Sequence, residues 1–469
     1  MLRETVTENG RVRGLPGTDA RITVFKGIRY AAAPVGKNRW RAPQPVENWQ
    51  GVRDCFEFAP IAMQATPGMD PNAFYAKEWH VDPEVPMDED CLGLNIWTNA
   101  KTGDERMPVF FWIHGGGLAE GYGHEMEFDG ERFAARGIVL VSINYRLNVF
   151  GFLAHPELTA EAPQAPTNFG FLDQRAALEW VRRNIAAFGG DPDNITIGGQ
   201  SSGGISVYKH MCAPGSRGLF QRAVIQSSAG GCVKTIEPKT FFTEDLTMAA
   251  AEELGQQFFD RLGVKTLAEA RALDAGLIRK KYLEGPKFWP QAIDGRFVSR
   301  QNEDYLFGGG LADVPLMIGY TGDEMDLEIK DRGVINGNEL SNRIIAAELT
   351  RQGRSVYCWD FDPTIPGDNA GAFHSSDLWF TFETLMRCWR PFDGHHFDLA
   401  RRMCSYWSNF VKSGDPNGRD ADGSELPQWK AYGAAQSVQL FFDEITPQSG
   451  CSPLMQELID LNTKAYKNR

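Results

Sequence analysis

Thr196–Val207 reads TIGGQSSGGISV and sets Ser201 between Gly199 and Gly203, each two residues away. In a chain of 469 residues with 49 glycines, a serine flanked this way arises by chance often enough that the string alone is weak evidence. Its setting is stronger. Asn194–Gly199, NITIGG, has the pattern of a buried strand, and Gly203–Cys212, GGISVYKHMC, can form a helix. A serine on a sharp strand-to-helix turn stands exposed above the end of a sheet, where a nucleophile must be. Gly199 and Gly203 keep side chains out of a turn in which the two backbones nearly touch. A plain glycine–serine loop would not need an apolar strand in front of it.

The same alternation extends on both sides of the turn. Leu94–Trp97, Val109–Ile113, Ile138–Tyr145, Arg222–Ser227, Pro315–Tyr320 and Ser355–Phe361 are short, nearly continuous apolar runs. A sheet covered on both faces requires such runs. Between them lie helical patterns: Leu178, Val181, Ile185 and Phe188 make one apolar stripe, with Gly189 and Gly190 as a stop. Strands alternating with helices predict an α/β fold, with a mostly parallel twisted sheet and helices on both faces. From Cys232 to Gln301 the pattern is mainly helical, with Leu254, Phe258 and Leu262 on one stripe. Residues 232–301 are expected to be an insertion within a single domain spanning 1–469.

The composition narrows the function. Hydrophobic residues make up 42% of the chain, enough for a sizeable core. The net charge is -13, and no basic block is present, so nucleic acid is not an expected partner. No apolar run approaches the roughly 18 residues needed to span a bilayer. The N-terminal MLRETVTENGRVRG lacks the apolar run of a secretory signal, so a cytoplasmic location is expected. The eight cysteines form no CxxC pair, which argues against a zinc knuckle or thiol redox site. Buried, reduced thiols are expected, with no metal and no cofactor; no Walker-type or GxGxxG context is present.

A second element supports a nucleophilic Ser201. His114, Gly115, Gly116 and Gly117 follow directly on the VFFWI strand. Glycine-loop N–H groups can approach a developing oxyanion closely. Beyond these two elements the chain resembles the type-B carboxylesterase family of carboxylesterases, cholinesterases and bile-salt lipases, in a bacterial-type form. The resemblance covers nearly the whole length: FKGIRYAAAPVGKNRW from Phe25, DEDCLGLNIW from Asp88, HGGG, NYRLNVFGFL from Asn144, the long segment from Asn168 to Gly204, IGYTGDEMD from Ile318, GAFHSSDLWF from Gly371 and FVKSGDPNG from Phe410. It implies the α/β-hydrolase fold and hydrolysis of small-molecule carboxylic esters through an acyl-enzyme. The implied acid is Glu324, with Asp323 beside it as the other carboxylate, and the implied base is His374. Ser201, Glu324 and His374 stand in the chain order this fold uses. Gly116, Gly117 and Ser202 are expected to supply oxyanion N–H groups, the side chain of Ser202 mattering less. His395 and His396, in the loop-like DGHHFD, are expected at the surface.

The chain departs from the family at several places. Gln200 and Ser202 replace the usual Glu and Ala around the nucleophile, so one carboxylate is missing beside the serine. Cys91 matches one half of the family's first disulfide, but Ala62 stands where its partner is expected. Glu383 occupies the glycine position of the segment after the histidine. Glu324 and His374 are 50 residues apart, fewer than in many relatives, so residues 325–354 are expected to be a shortened helical region. Trp79 stands upstream of EDCL as a choline-binding tryptophan would, or is a packed loop residue. Phe288 and Trp289 fall where the family walls its acyl pocket. Together with Gln200 these residues predict short acyl groups on neutral alcohols. A non-catalytic adhesion or scaffold relative and a lipase for longer acyl chains are the competing readings. The sequence carries no reading of oligomeric state.

Overall fold

All seven apolar runs form strands of one sheet in the computed structural model, which describes residues 1–70, 72–239, 245–330 and 332–468. Residues 71, 240–244, 331 and 469, which the sequence reading assigns to the domain, the insertion and the shortened region, lie outside the described residues. In chain order the strands are β1 (Leu15–Pro16), β2 (Thr23–Arg29), β3 (Gly93–Thr98), β4 (Met107–Ile113), β5 (Val139–Ile143), β6 (Gly190–Gln200), β7 (Arg222–Gln226), β8 (Leu316–Thr321), β9 (Val356–Phe361), β10 (Val438–Phe441) and β11 (Ile445–Gln448). Across the sheet they run β1-β2-β3-β5-β4-β6-β7-β8-β9-β10-β11. The stretch from β5 to β10 is parallel, and antiparallel pairs finish both margins. This is the α/β-hydrolase architecture. Val109–Ile113 is fully enclosed, as a strand with helices on both faces must be. Each such Val, Ile or Phe contributes about 1.5–3 kcal/mol through burial.

The register brings the ends of the central strands level. Ile113 of β4 pairs with Gly199 of β6, Gln200 with Gln226 of β7, and Gln226 with Gly319 of β8. The loops leaving β4, β6, β7 and β8 therefore emerge side by side at the carboxyl edge, where open α/β sheets place their ligands.

Helix α1 (Phe169–Asn184) tightens into a 3-10 turn over Ile185–Phe188 and stops at Gly189, whose φ of +82° suits a glycine. The serine turn leads into α2 (Ser202–Cys212). Within 232–301 lie α3 (Met248–Leu262), α4 (Leu267–Ala272) and α5 (Ala275–Leu283), with Leu246–Thr247 and Ala292–Ile293 paired as two short strands. Phe258 is buried, and Leu254 and Leu262 pack on the core.

Two expectations change. Residues 325–354 are not helical throughout: a hairpin of Asp326–Ile329 and Gly333–Asn336 precedes α6 (Gly337–Arg351). The β-branched and apolar residues of that segment alternate, and Asn336 then caps α6 through two backbone N–H groups. The DGHHFD segment is not a surface loop but the start of α7 (Gly394–Ser413). His395 is exposed, whereas His396 is buried and closes a capping box with Asp393. Glu383 sits at φ +53°, the conformation that favours glycine at this position, and its carboxylate binds Arg136 at 2.6 Å. That half-buried ion pair offsets part of the backbone cost, which is about 1 kcal/mol. All eight cysteines are free; Cys91 and Ala62 lie buried in the same core, so packing stands where the family's bridge would be.

Candidate active site

Ser201 is held by its backbone. It has φ 54° and ψ -128°, a conformation costing about 1–3 kcal/mol for a residue with a Cβ. Its N–H donates to Gln226 O at 2.9 Å, and its carbonyl accepts from Ile205 N–H at 3.0 Å. The two flanking glycines are steric necessities. A Cβ on Gly203 would stand 2.1 Å from Ile113 O, and one on Gly199 would stand 2.5 Å from the Gly203 backbone. The string Gly199–Gly203 is thus the record of β4, β6 and α2 crossing at van der Waals contact. Ser201 is also the N-cap residue of α2, whose first N–H groups point toward negative charge.

The glycine loop after β4 lies against this turn. Gly116 has φ +98° and Gly117 φ +67°. Among the described residues, none accepts a hydrogen bond from the N–H of either glycine. A Cβ on Gly116 would meet Glu120 O at 2.0 Å. Ser202 Oγ accepts from Leu118 N–H at 3.0 Å. The side chain has a structural part of its own: the hydroxyl ties α2 to the glycine loop. His114 is buried and stacked on Tyr145, and burial lowers its imidazole to about 4, so it is a neutral packing residue.

Of the two carboxylates after β8, Glu324 faces the histidine. Glu324 Oε2 hydrogen-bonds His374 Nδ1. Its other oxygen accepts from Thr321 N–H at 3.1 Å and from Asn338 Nδ2 at 3.0 Å. Asp323 instead accepts from Ala372 N–H at 2.8 Å and bridges by backbone to the histidine loop. It positions the loop and leaves the imidazole to Glu324. Burial pulls His374 down, but the Glu324 charge and hydrogen bond, with Asp377 nearby, hold it above its ordinary value of 6.5. Asp377 is itself buried, which pushes its carboxyl up to about 7 while Gln226 donates to it. With Nδ1–H committed to Glu324, His374 Nε2 keeps a lone pair. Gln200 Nε2 lies 3.3 Å from it and donates to Ser375 Oγ at 2.7 Å.

These groups open into one cavity of about 730 Å³. Ser201, His374, Gly116, Gly117, Ser202, Gln200, Trp79, Phe288 and Trp289 all line it, whereas Glu324 stands behind His374. Phe288 covers the Gly117 side: a Cβ on Gly117 would reach its ring at 2.3 Å. Trp289 is buried, donating to Phe152 O at 3.1 Å. Trp79 is buried too, stacked on Tyr75 at 5.0 Å, and it still contributes wall. Sequence reading missed Tyr75, whose hydroxyl donates to His374 O at 3.1 Å, and Asn338. Both act through contacts that no local motif announces. No group of acidic, histidine or cysteine side chains suited to a metal occurs among the described residues.

The sequence profile of the carboxylesterase family matches residues 3–339 and 338–452. The chain belongs to the carboxylesterase family. It is 30% identical to the para-nitrobenzyl esterase of Bacillus subtilis, over 94% of this chain and 95% of that one. It is 33% identical to the phenmedipham hydrolase of Pseudarthrobacter oxydans, over 88% and 90%. Among solved structures, a Geobacillus stearothermophilus carboxylesterase superposes with a TM-score of 0.78 at 31% identity, covering 97% of this chain and 99% of that chain. A PNB esterase superposes with a TM-score of 0.80 at 26% identity, covering 98% and 99%. This carboxylesterase is a serine hydrolase of carboxylic esters. No helix among its described residues is long and apolar enough to cross a membrane.

Proposed function

We propose that Ser201, His374 and Glu324 are the nucleophile, base and acid of this carboxylesterase, and that it acts on short-chain acyl esters of neutral alcohols. The observation that carries the assignment is the Glu324–His374 hydrogen bond, set in the same cavity as a serine held at a strained strand-to-helix turn. His374 Nε2 accepts the Ser201 proton as Oγ attacks the ester carbonyl. Gly116, Gly117 and Ser202 N–H groups stabilise the oxyanion. Collapse expels the alcohol with the proton from His374, and water then repeats the sequence on the acyl-enzyme. Glu324 holds the imidazole in the tautomer that leaves Nε2 free and stabilises the imidazolium. A scaffold reading is not favoured, because a non-catalytic relative would have no use for the strain at Ser201.

The acyl preference rests on Phe288 and Trp289. The Phe288 ring beside Gly117 and the nearby Trp289 favour acyl groups of two to four carbons, by the rule that each further CH₂ needs an apolar space worth about 0.8 kcal/mol. Gln200 supports a neutral alcohol, since it places no carboxylate beside Ser201. The eight free thiols support a reducing, cytoplasmic setting. The test is kcat/KM for acetyl, butyryl and octanoyl aryl esters, with butyrylcholine against a neutral isostere. An optimum at octanoyl would restore the lipase reading. A tenfold choline preference, about 1.4 kcal/mol, would overturn the neutral-alcohol reading.

A further inference from the structure

Beside the glycine loop stand two charged residues that the mechanism does not use. Lys287 Nζ lies 2.7 Å from Glu120 Oε1, and both residues line the substrate cavity. Glu120 belongs to the oxyanion loop. Its N–H donates to Gly116 O at 3.1 Å, closing the turn that carries Gly116 and Gly117. Lys287 belongs to the acyl wall, as the residue before Phe288. Its ammonium also stands 5.7 Å from the centre of the Phe288 ring, within the range of a cation–π contact. One cation thus joins the donor loop to the acyl wall.

The Phe288 ring needs such a tie. The chain on either side of it is held: Tyr282, on α5, donates its hydroxyl hydrogen to Lys287 O, and Trp289 is buried with its indole N–H on Phe152 O at 3.1 Å. The ring between these anchors is 63% exposed, so packing restrains little of it. An aromatic side chain this exposed changes rotamer on the picosecond-to-nanosecond scale. Its close neighbour is Gly117, where a Cβ would stand 2.3 Å from the ring. A ring that stays over Gly117 closes the space beside the oxyanion donors, and a ring that swings away opens it. Swinging away gives up the contact with the Lys287 ammonium, which Glu120 holds in place.

We propose that Lys287 and Glu120 are positioning residues for acyl selectivity: their ion pair pins Phe288 over Gly117 and so keeps the acyl side short. The inference rests on the reading of Phe288 as acyl wall and adds what holds that wall in place. An ion pair whose partners are 58% and 22% exposed is weak and is screened by salt. The selectivity it controls therefore shifts by a small factor, and shifts with ionic strength.

The test uses the intact enzyme and the ratio of kcat/KM for phenyl acetate to that for phenyl hexanoate. Lys287→Met keeps side-chain length without the charge, and Glu120→Gln keeps an acceptor without the charge. Each should lower the acetate-to-hexanoate ratio by about threefold, the size an exposed ion pair supports, while Lys287→Arg should retain it. Raising sodium chloride to about 1 M, where the screening length falls to about 3 Å, should lower the wild-type ratio by a similar factor and leave the Glu120→Gln ratio unmoved. Phe288→Ala should lower the ratio further than either charge variant, and Lys287→Met added to it should change nothing more. A ratio that Phe288→Ala lowers, but that both charge variants and salt leave alone, would overturn the clamp and keep Phe288 as acyl wall. An equal salt response in wild type and Glu120→Gln would likewise count against the clamp. A ratio unchanged in Phe288→Ala would instead overturn the acyl-wall reading, and the clamp with it.

Discussion

The turn after β6 and the loops after β8 and β9 deliver groups to one cavity, but they hold them in different ways. After β6 the backbone does the work. Gly199, Gly203 and the Gln226 carbonyl fix Ser201, and a single Cβ on Gly203 would collide with Ile113 O at 2.1 Å. After β8 and β9 the work is done by side chains. Asn338 and the Thr321 N–H orient Glu324, Asp323 straps the histidine loop, and Tyr75 holds the His374 carbonyl. Backbone constraint leaves a short, regular trace in the sequence, because only glycine survives such contact. Side-chain constraint leaves residues scattered across 299 positions, the separation of Tyr75 and His374.

The difference predicts a ranking. Ser201→Ala removes the reacting atom and should lower kcat by about 10⁴-fold or more, with residual turnover from the oxyanion donors; steady-state assay of a pure aryl acetate reads this directly. Glu324→Gln keeps the shape but loses the charge, and should cost about 10³–10⁴-fold. Asp323→Asn retains an acceptor for Ala372 N–H and should cost about tenfold at most. The opposite order for these two would place the acid at Asp323.

Much of the backbone-held half was legible in advance. The seven strands were readable because a doubly covered sheet demands apolar runs, and both glycine elements fell at strand ends where sterics demand them. The other half was legible only through family resemblance, since nothing local to Glu324 or His374 separates them from Asp323 or from seven other histidines. The hairpin at 326–336, the capping role of His396 and the Arg136 partner of Glu383 were not readable, because each depends on which side chain lies opposite after folding. Ser202 is the clearest case. Its hydroxyl was read as mattering less than its backbone N–H, yet it accepts from Leu118 N–H at 3.0 Å.

Smaller effects sharpen the contrast. The kcat/KM profile should have an acid limb above 6.5, because only neutral His374 can accept the serine proton and Glu324 and Asp377 raise its pKa. Gln200→Glu adds a carboxylate beside His374, favours the imidazolium and should move that limb to higher pH. Unchanged limbs in both Gln200→Glu and Glu324→Gln would mean the titrating group is not His374. Ser202→Ala removes one buried hydrogen bond to the glycine loop and should lower kcat by about fivefold, with KM little changed. A rise in kcat would show that the bond restrains the oxyanion donors rather than placing them.

The account depends most on Ser201 carrying the acyl group. The direct measurement is mass spectrometry of enzyme quenched during turnover of a slowly deacylating aryl ester, followed by peptide mapping. One acyl group per chain, confined to the peptide containing Ser201 and absent from Ser201→Ala, is the predicted result. Acylation at another residue, or a Ser201→Ala enzyme that still accumulates an acyl adduct and turns over, would contradict it.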